Sequence, residues 1–327
     1  MIQQKVFTDA CSTDLRLFSW GRLVAMSVAS VVVVCLMALP AVAQSEPPGE
    51  QQVLNAGGWP IHISYFEASG SSSTKEAPVI ILLAGAEGDA KNVRTRRVWD
   101  KTALALQKAG YAVVSVDLRK HGDSKPAEAT PAQMKVGRID YQAMVVEDLE
   151  AVKAFLLQQH QAEKLNIRKT GIVAARSSAM VAAGFAVSDW AKTPFPDAPR
   201  LEDRTPKGQD VRAILMLSPE SAVPGLSGGQ SPLAALKQLP VAVSIFASTK
   251  SKDERASAER IYKSVQLPGE QFKEVRKVLL TNDSGSGEDF VEGNKADTTN
   301  KEIIQPFFDA QLKSLNEPWR TRESRLQ

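Results

Sequence analysis

Few side chains in this chain could move a proton near neutral pH. Among 327 residues there are three histidines, His62, His121 and His160. His62 falls on an early strand and His160 at the end of a long helix, where a surface position is expected. His121 follows a buried strand, at the sheet edge where α/β sites form; a structural role is the plainer expectation for it. The two cysteines, Cys11 and Cys35, both lie in the N-terminal segment, so the rest of the chain can make neither a disulfide nor a thiolate. No Cys/His/Asp cluster has metal-ligand spacing, and no metal or cofactor is expected. The glycines of Gly85-Ala86-Glu87-Gly88 lack the Gly-Lys-Ser/Thr ending of a phosphate-binding loop. The basic run from Lys91 to Arg97 lacks interleaved aromatics and reads as a solvated helix start or an anion-binding rim, not a nucleic-acid site.

The elements that would position any site alternate regularly. Val53–Ala56 and Trp59–Phe66 read as two strands around Gly57-Gly58. Pro78–Leu83 and Ala112–Leu118 are short, continuous apolar runs, as in strands covered on both faces. A helix is expected over 92–108, and a clear amphipathic one over Asp140–Gln159, with Met144, Leu149, Val152, Phe155 and Leu156 on one side. Strands at 171–175, 213–217, 241–246 and 275–280 then alternate with helices at 179–187, 232–239, 253–265 and 301–315. Such alternation predicts an α/β fold with a mainly parallel central sheet and helices on both faces. Lys192–Lys207, rich in proline and charge, reads as a surface excursion.

On these residues the chain resembles the α/β-hydrolase family. Leu82–Gly88 sits where family members carry a glycine-rich oxyanion loop. The turn Asp117-Leu118-Arg119-Lys120-His121-Gly122-Asp123-Ser124 is very similar to the family's Asp-x-Arg-Gly-His-Gly-x-Ser, and Leu217-Ser218-Pro219-Glu220 resembles a strand-end turn of some members. The resemblance covers about residues 53–315. It implies a nucleophile elbow, Gly-x-Ser-x-Gly, at Ala175-Arg176-Ser177-Ser178-Ala179. Ser177 then holds the nucleophile position, Asp253 the acid position, and Ser286 the position where a histidine is expected. Oxyanion donors would be the backbone N–H groups of Ala86 and Ser178. Asp253 reads equally well as an N-cap or first-turn acid of its helix. Serine at 286 cannot serve as a base, and the loop after Leu280 contains no histidine. Asp283, Glu288 and Asp289 are the conceivable substitutes. Arg176 cannot be a base either; it could hold a carboxylate or phosphate over the helix N-terminus, or be solvent-facing or ion-paired.

The bulk composition agrees with one large domain: 43% of residues are hydrophobic and 24% charged. Arg16 and Arg22, the apolar run Leu23–Leu39, Pro40 and Ala41-Val42-Ala43 have the layout of a secretory signal over 1–43. An uncleaved anchor is the alternative. A linker over 44–52, a hydrolase-like domain over 53–315 and a polar C-terminal tail over 316–327 complete the expected organisation. The formal charge of +3 predicts no pull toward nucleic acid. The expected function is an exported α/β-hydrolase-fold protein, periplasmic or secreted, that lacks standard Ser-His-Asp activity. It would act in binding or assembly, on an unidentified small molecule or envelope protein, with membrane association only through an uncleaved leader. The alternative is an esterase-like hydrolase using Ser177 and an unorthodox base.

Overall fold

A computed structural model describes residues 48–70, 73–85, 95–126, 128, 130 and 133–326. The expected leader with its cleavage motif, residues 44–47 of the expected linker, and Ala86 lie outside the described residues. Among the described residues no helix is long and apolar enough to cross a membrane.

Eight strands form one sheet in the order β1-β2-β4-β3-β5-β6-β7-β8. β1 (Glu50–Ala56) pairs antiparallel with β2 (Trp59–Phe66), and β2 antiparallel with β4 (Ala112–Val116). β3 (Pro78–Leu83), β5 (Asn166–Ala175), β6 (Val211–Leu217), β7 (Ala242–Ser248) and β8 (Arg276–Thr281) continue the sheet in parallel. Every residue of β3 is buried, which is why Val, Ile and Leu follow Pro78 with no alternation. β1, at the edge, is mostly polar and half-exposed, as edge strands must be to avoid pairing with other chains.

Two apolar layers cover the sheet. One face packs α2 (Arg138–Ala143), α3 (Leu149–Gln161), α4 (Ser178–Trp190), α5 (Leu233–Lys237) and α6 (Lys252–Val265), through Tyr141, Leu149, Met180, Leu236 and Ile261 among others. The other packs α1 (Asp100–Lys108) and a closing helical run through Ala103, Leu106, Ile304, Phe307 and Phe308. That run starts at α7 (Lys295–Thr299), earlier than the sequence pattern suggests, and reaches α8 (Gln305–Phe308) through a π-helical stretch, Asn300–Ile304. Pro306 lacks an N–H, so an unbroken α-helical ladder cannot run through it. The expected helix over 92–108 resolves, in its described part, into a 3-10 turn at Arg96–Trp99 followed by α1.

The Asp117–Ser124 turn is a structural knot. Asp117 is wholly buried; it accepts the Arg96 and Asp123 backbone N–H groups and ion-pairs with the buried Arg96 guanidinium. Ser124 Oγ donates to the Asp117 carbonyl at 2.6 Å and accepts the His62 N–H at 2.8 Å, which joins the turn to β2. The buried His121 has Nδ1 2.9 Å from the Arg119 carbonyl.

His160 departs from its expected surface position: it is wholly buried. Its Nε2 donates to the Arg320 carbonyl at 2.8 Å, its ring packs on Trp319 with centroids 4.9 Å apart, and Trp319 Nε1 returns a bond to the His160 carbonyl. The polar C-terminal segment is thus clasped onto α3, a contact between residues too distant in sequence to be seen as a pattern. The His160 Nδ1 lies 3.1 Å from the Leu165 carbonyl and 3.3 Å from the Ile167 N–H. Burial lowers the His160 and His121 pKa values below the ordinary imidazole value of 6.5. A depressed folded-state pKa means the unfolded chain takes up protons first as pH falls. The stabilisation is therefore complete above about pH 6.5 and is lost as pH falls through the folded-state values. The melting temperature is expected to fall between about pH 7 and pH 5, with a smaller fall in His160→Asn. A fall of equal size in the variant would count against the clasp as its source.

Candidate functional site

The parallel strands end together at one edge of the sheet, and β3 and β5 are neighbours there. At β5 the chain turns sharply from Ala175 into α4 (Ser178–Trp190). The left-handed residue of this turn is Arg176, at φ +51°, whereas Ser177 is right-handed helical at φ −63°. Only a strained backbone conformation lifts an elbow side chain clear of strand and helix. It is therefore the arginine that stands at the elbow tip, one place before the serine singled out by sequence. Ser177 is wholly buried. It is hydrogen-bonded to the Tyr141 phenol, whose pKa burial pushes up while the bond from Ser177 pulls the other way. A phenol held above its ordinary value stays protonated at neutral pH and cannot act as a base toward Ser177. Ser178 is buried too, and its hydroxyl donates to the Ala84 carbonyl at 2.5 Å, joining α4 to the end of β3.

Arg176 is held from three sides. Its Nε bonds Glu288 Oε2 at 3.1 Å, and its Nη2 donates to the Ser286 carbonyl at 3.2 Å. Its N–H donates to the Leu217 carbonyl at 2.9 Å, and its own carbonyl accepts the Glu220 N–H at 3.2 Å. Two glycines leave room for its stem. A Cβ on Gly85 would lie 2.8 Å from Arg176 Cβ, and a Cβ on Gly287 2.8 Å from Arg176 Cγ. Gly287 also needs its left-handed φ of +54°.

Glu288 is wholly buried. Its second oxygen accepts the Gly85 N–H, one residue before Ala86, the donor expected for oxyanion binding. Burial raises the Glu288 pKa, opposed by the Gly85 N–H and by Arg176. Both carboxylate oxygens are engaged, so Glu288 fills an anion niche with the protein's own charge.

Beside the elbow lies a cleft of about 360 Å³. It gathers Arg176, Asp253 and Ser286 with Ser218, Glu220 and Glu254. Asp253 is exposed in the first turn of α6 and is not its N-cap: Ser251 is, its Oγ accepting the Glu254 N–H. Ser286 donates its N–H to Asp289 at 3.0 Å. Ser177 and Ser178 lie under this layer. Ser218 was visible only as part of a strand-end motif. Its φ is +43°, it is 2% exposed, and its Oγ has no partner among the described residues. Among the described residues no group of three or more His, Cys, Asp or Glu is placed to hold a metal.

Removing the carboxylate in Glu288→Ala would leave the Gly85 N–H without its acceptor and take the counter-charge from beside the Arg176 guanidinium. The expected loss is about 3 kcal/mol of unfolding free energy, read from urea denaturation. Glu288→Gln, which keeps an acceptor for Gly85, should lose less. A loss under about 0.5 kcal/mol in Glu288→Ala would show that the pair is not a structural anchor.

No family model and no curated protein matches the chain. Solved structures do. The chain is similar to an acylaminoacyl peptidase bound to a chloromethyl ketone, with a TM-score of 0.55 and 12% identity, over 82% of this chain and 42% of that one. The acylaminoacyl peptidase of Pyrococcus horikoshii gives a TM-score of 0.54 at 12% identity, over 83% of this chain and 43% of that one. The chain thus spans less than half the length of these peptidases. Against Thermogutta terrifontis esterase 2, in a form phosphoramylated by tabun, the TM-score is 0.56 at 11% identity, over 81% of this chain and 96% of that one. With the strand order and the strand-turn-helix elbow, these likenesses establish that the chain has the α/β-hydrolase fold.

Proposed function

We propose that this is an exported, non-catalytic protein on the α/β-hydrolase scaffold, using the cleft beside the elbow to bind a small molecule or an envelope partner. The observation that carries this reading is Arg176 at the left-handed elbow position. A guanidinium cannot attack an acyl carbon or accept a proton. Its partner Glu288 occupies the elbow end of the sheet with a carboxylate that is itself held, by Arg176 and by the Gly85 N–H. The serine next door is buried against a protonated phenol. Without nucleophile and base in mutual reach, only weak acceleration over water remains. Binding is favoured by the cleft itself, where the buried Ser218 hydroxyl has no partner among the described residues. Such a group costs stability unless a ligand or water satisfies it. Export rests on the charged, apolar and small-residue order of the leader.

The opposing reading, an esterase using Ser177, draws on the likeness to Thermogutta terrifontis esterase 2, a protein also solved in a form phosphorylated by paraoxon. The full chain, treated with a fluorophosphonate probe and weighed intact, is expected to gain no adduct. An adduct that disappears in Ser177→Ala overturns the non-catalytic reading. Arg176→Ser, which puts a hydroxyl at the elbow tip without supplying a base, is expected to hydrolyse p-nitrophenyl acetate no faster than buffer. Turnover in that variant would reveal a base at the elbow.

A further inference from the structure

Toward the opposite end of β5, where Arg168 lies about 26 Å of strand from Arg176, there is a groove whose lining shares no residue with the cleft at the elbow. We infer that it is a binding site for a ligand carrying several phosphate groups. The surface excursion over 192–207 and the C-terminal segment form its walls. The groove encloses about 530 Å³ and is lined by five arginines, Arg168, Arg204, Arg320, Arg322 and Arg325, against two acids, Glu202 and Asp203.

The charges are unevenly compensated. Arg168 is paired with Glu317. Arg322 is 5% exposed and is paired with the buried Asp210, with further bonds to the Pro206 and Gly208 carbonyls. Its Nε is buried with no partner among the described residues. Arg204, Arg320 and Arg325 have no carboxylate partner among the described residues. Arg204 Nε reaches the Ala198 carbonyl at 2.9 Å, and Arg325 bonds the Asp203 carbonyl. Arg320 and Arg325 are exposed on the rim.

Cations crowded in this way oppose one another. Burial, with Arg168 beside it, pushes the Arg322 guanidinium down to about 10, still charged at neutral pH. A polyanion would relieve that opposition and offer each planar guanidinium fork two oxygens at once. Phosphate groups match both the geometry and the charge. Several are needed, because the arginines without a carboxylate stand on different segments of the rim. The lining has no aromatic side chain on which a base could stack, which favours an oligophosphate over a nucleic acid strand.

Titration calorimetry of the full chain with sodium tripolyphosphate, at constant ionic strength, tests the site. Binding is expected, weaker at higher salt, and orthophosphate should bind more weakly. The double variant Arg320→Ala/Arg325→Ala removes only exposed side chains. It should keep the wild-type melting temperature and weaken tripolyphosphate binding by at least about tenfold. Co-sedimentation with phosphatidylcholine vesicles containing phosphatidic acid identifies the source of the phosphate. Capture that tripolyphosphate reverses supports the site and names a lipid headgroup. Tripolyphosphate binding without capture supports it and names a soluble oligophosphate. Absence of tripolyphosphate binding, binding unchanged in the double variant, or tighter binding of single-stranded DNA overturns the inference.

Discussion

The bond between Arg176 and Glu288 holds together the elbow end of the sheet. It joins the turn after β5 to the loop after β8, and through the Gly85 N–H it also reaches the loop after β3. The backbone of Arg176 adds the end of β6 at Leu217 and the following turn at Glu220. A left-handed non-glycine residue costs about 1 kcal/mol or more and persists only where its surroundings over-determine it. Here those surroundings include two glycines whose missing Cβ atoms make room for the stem. Hydrolases on this scaffold keep the elbow free for a reacting group. In this chain the same geometry is used to fix loops to one another.

Much of the scaffold is legible in the sequence alone. Strands such as Pro78–Leu83, and the 213–217 stretch of β6, announce themselves as unbroken apolar runs because both faces are covered. The Asp117–Ser124 turn is legible because Asp117, His121 and Ser124 each answer a particular backbone group. The elbow is legible in place but not in register. Small residues occupy 174–175 and 177–179, so the small-x-x-x-small spacing fits around Arg176 as well as around Ser177. Backbone dihedrals separate the two, and spacing does not encode them. Ion-pairing is one of the readings open for Arg176, but its partner Glu288 lies more than a hundred positions on and can only be named as one of three nearby carboxylates.

Contacts between distant segments escape the sequence altogether. His160 reads as a helix-end residue until Trp319 closes over it. Tyr141 falls inside a predicted helix and nothing in the sequence marks it out, yet its phenol meets Ser177. Both are buried polar groups whose partners make their burial tolerable, and in both cases the partner comes from another element. Sequence periodicity reports which face of an element is covered. It does not report by what.

The two ends of the sheet differ in how their charges are treated. At the elbow, a cation and a carboxylate neutralise each other in a site that a hydrolase would leave open. At the far end, Lys153 pairs with both Asp189 and Asp210, and Asp210 also receives Arg322 from the C-terminal segment. Asp210 immediately precedes β6, a central strand, yet one of its two counter-charges belongs to residue 322. The carboxylate of Asp210 is therefore fully compensated only when the segment around Arg322 is docked. The clasp over His160 has the same dependence, because Trp319 and Arg320 come from that segment too.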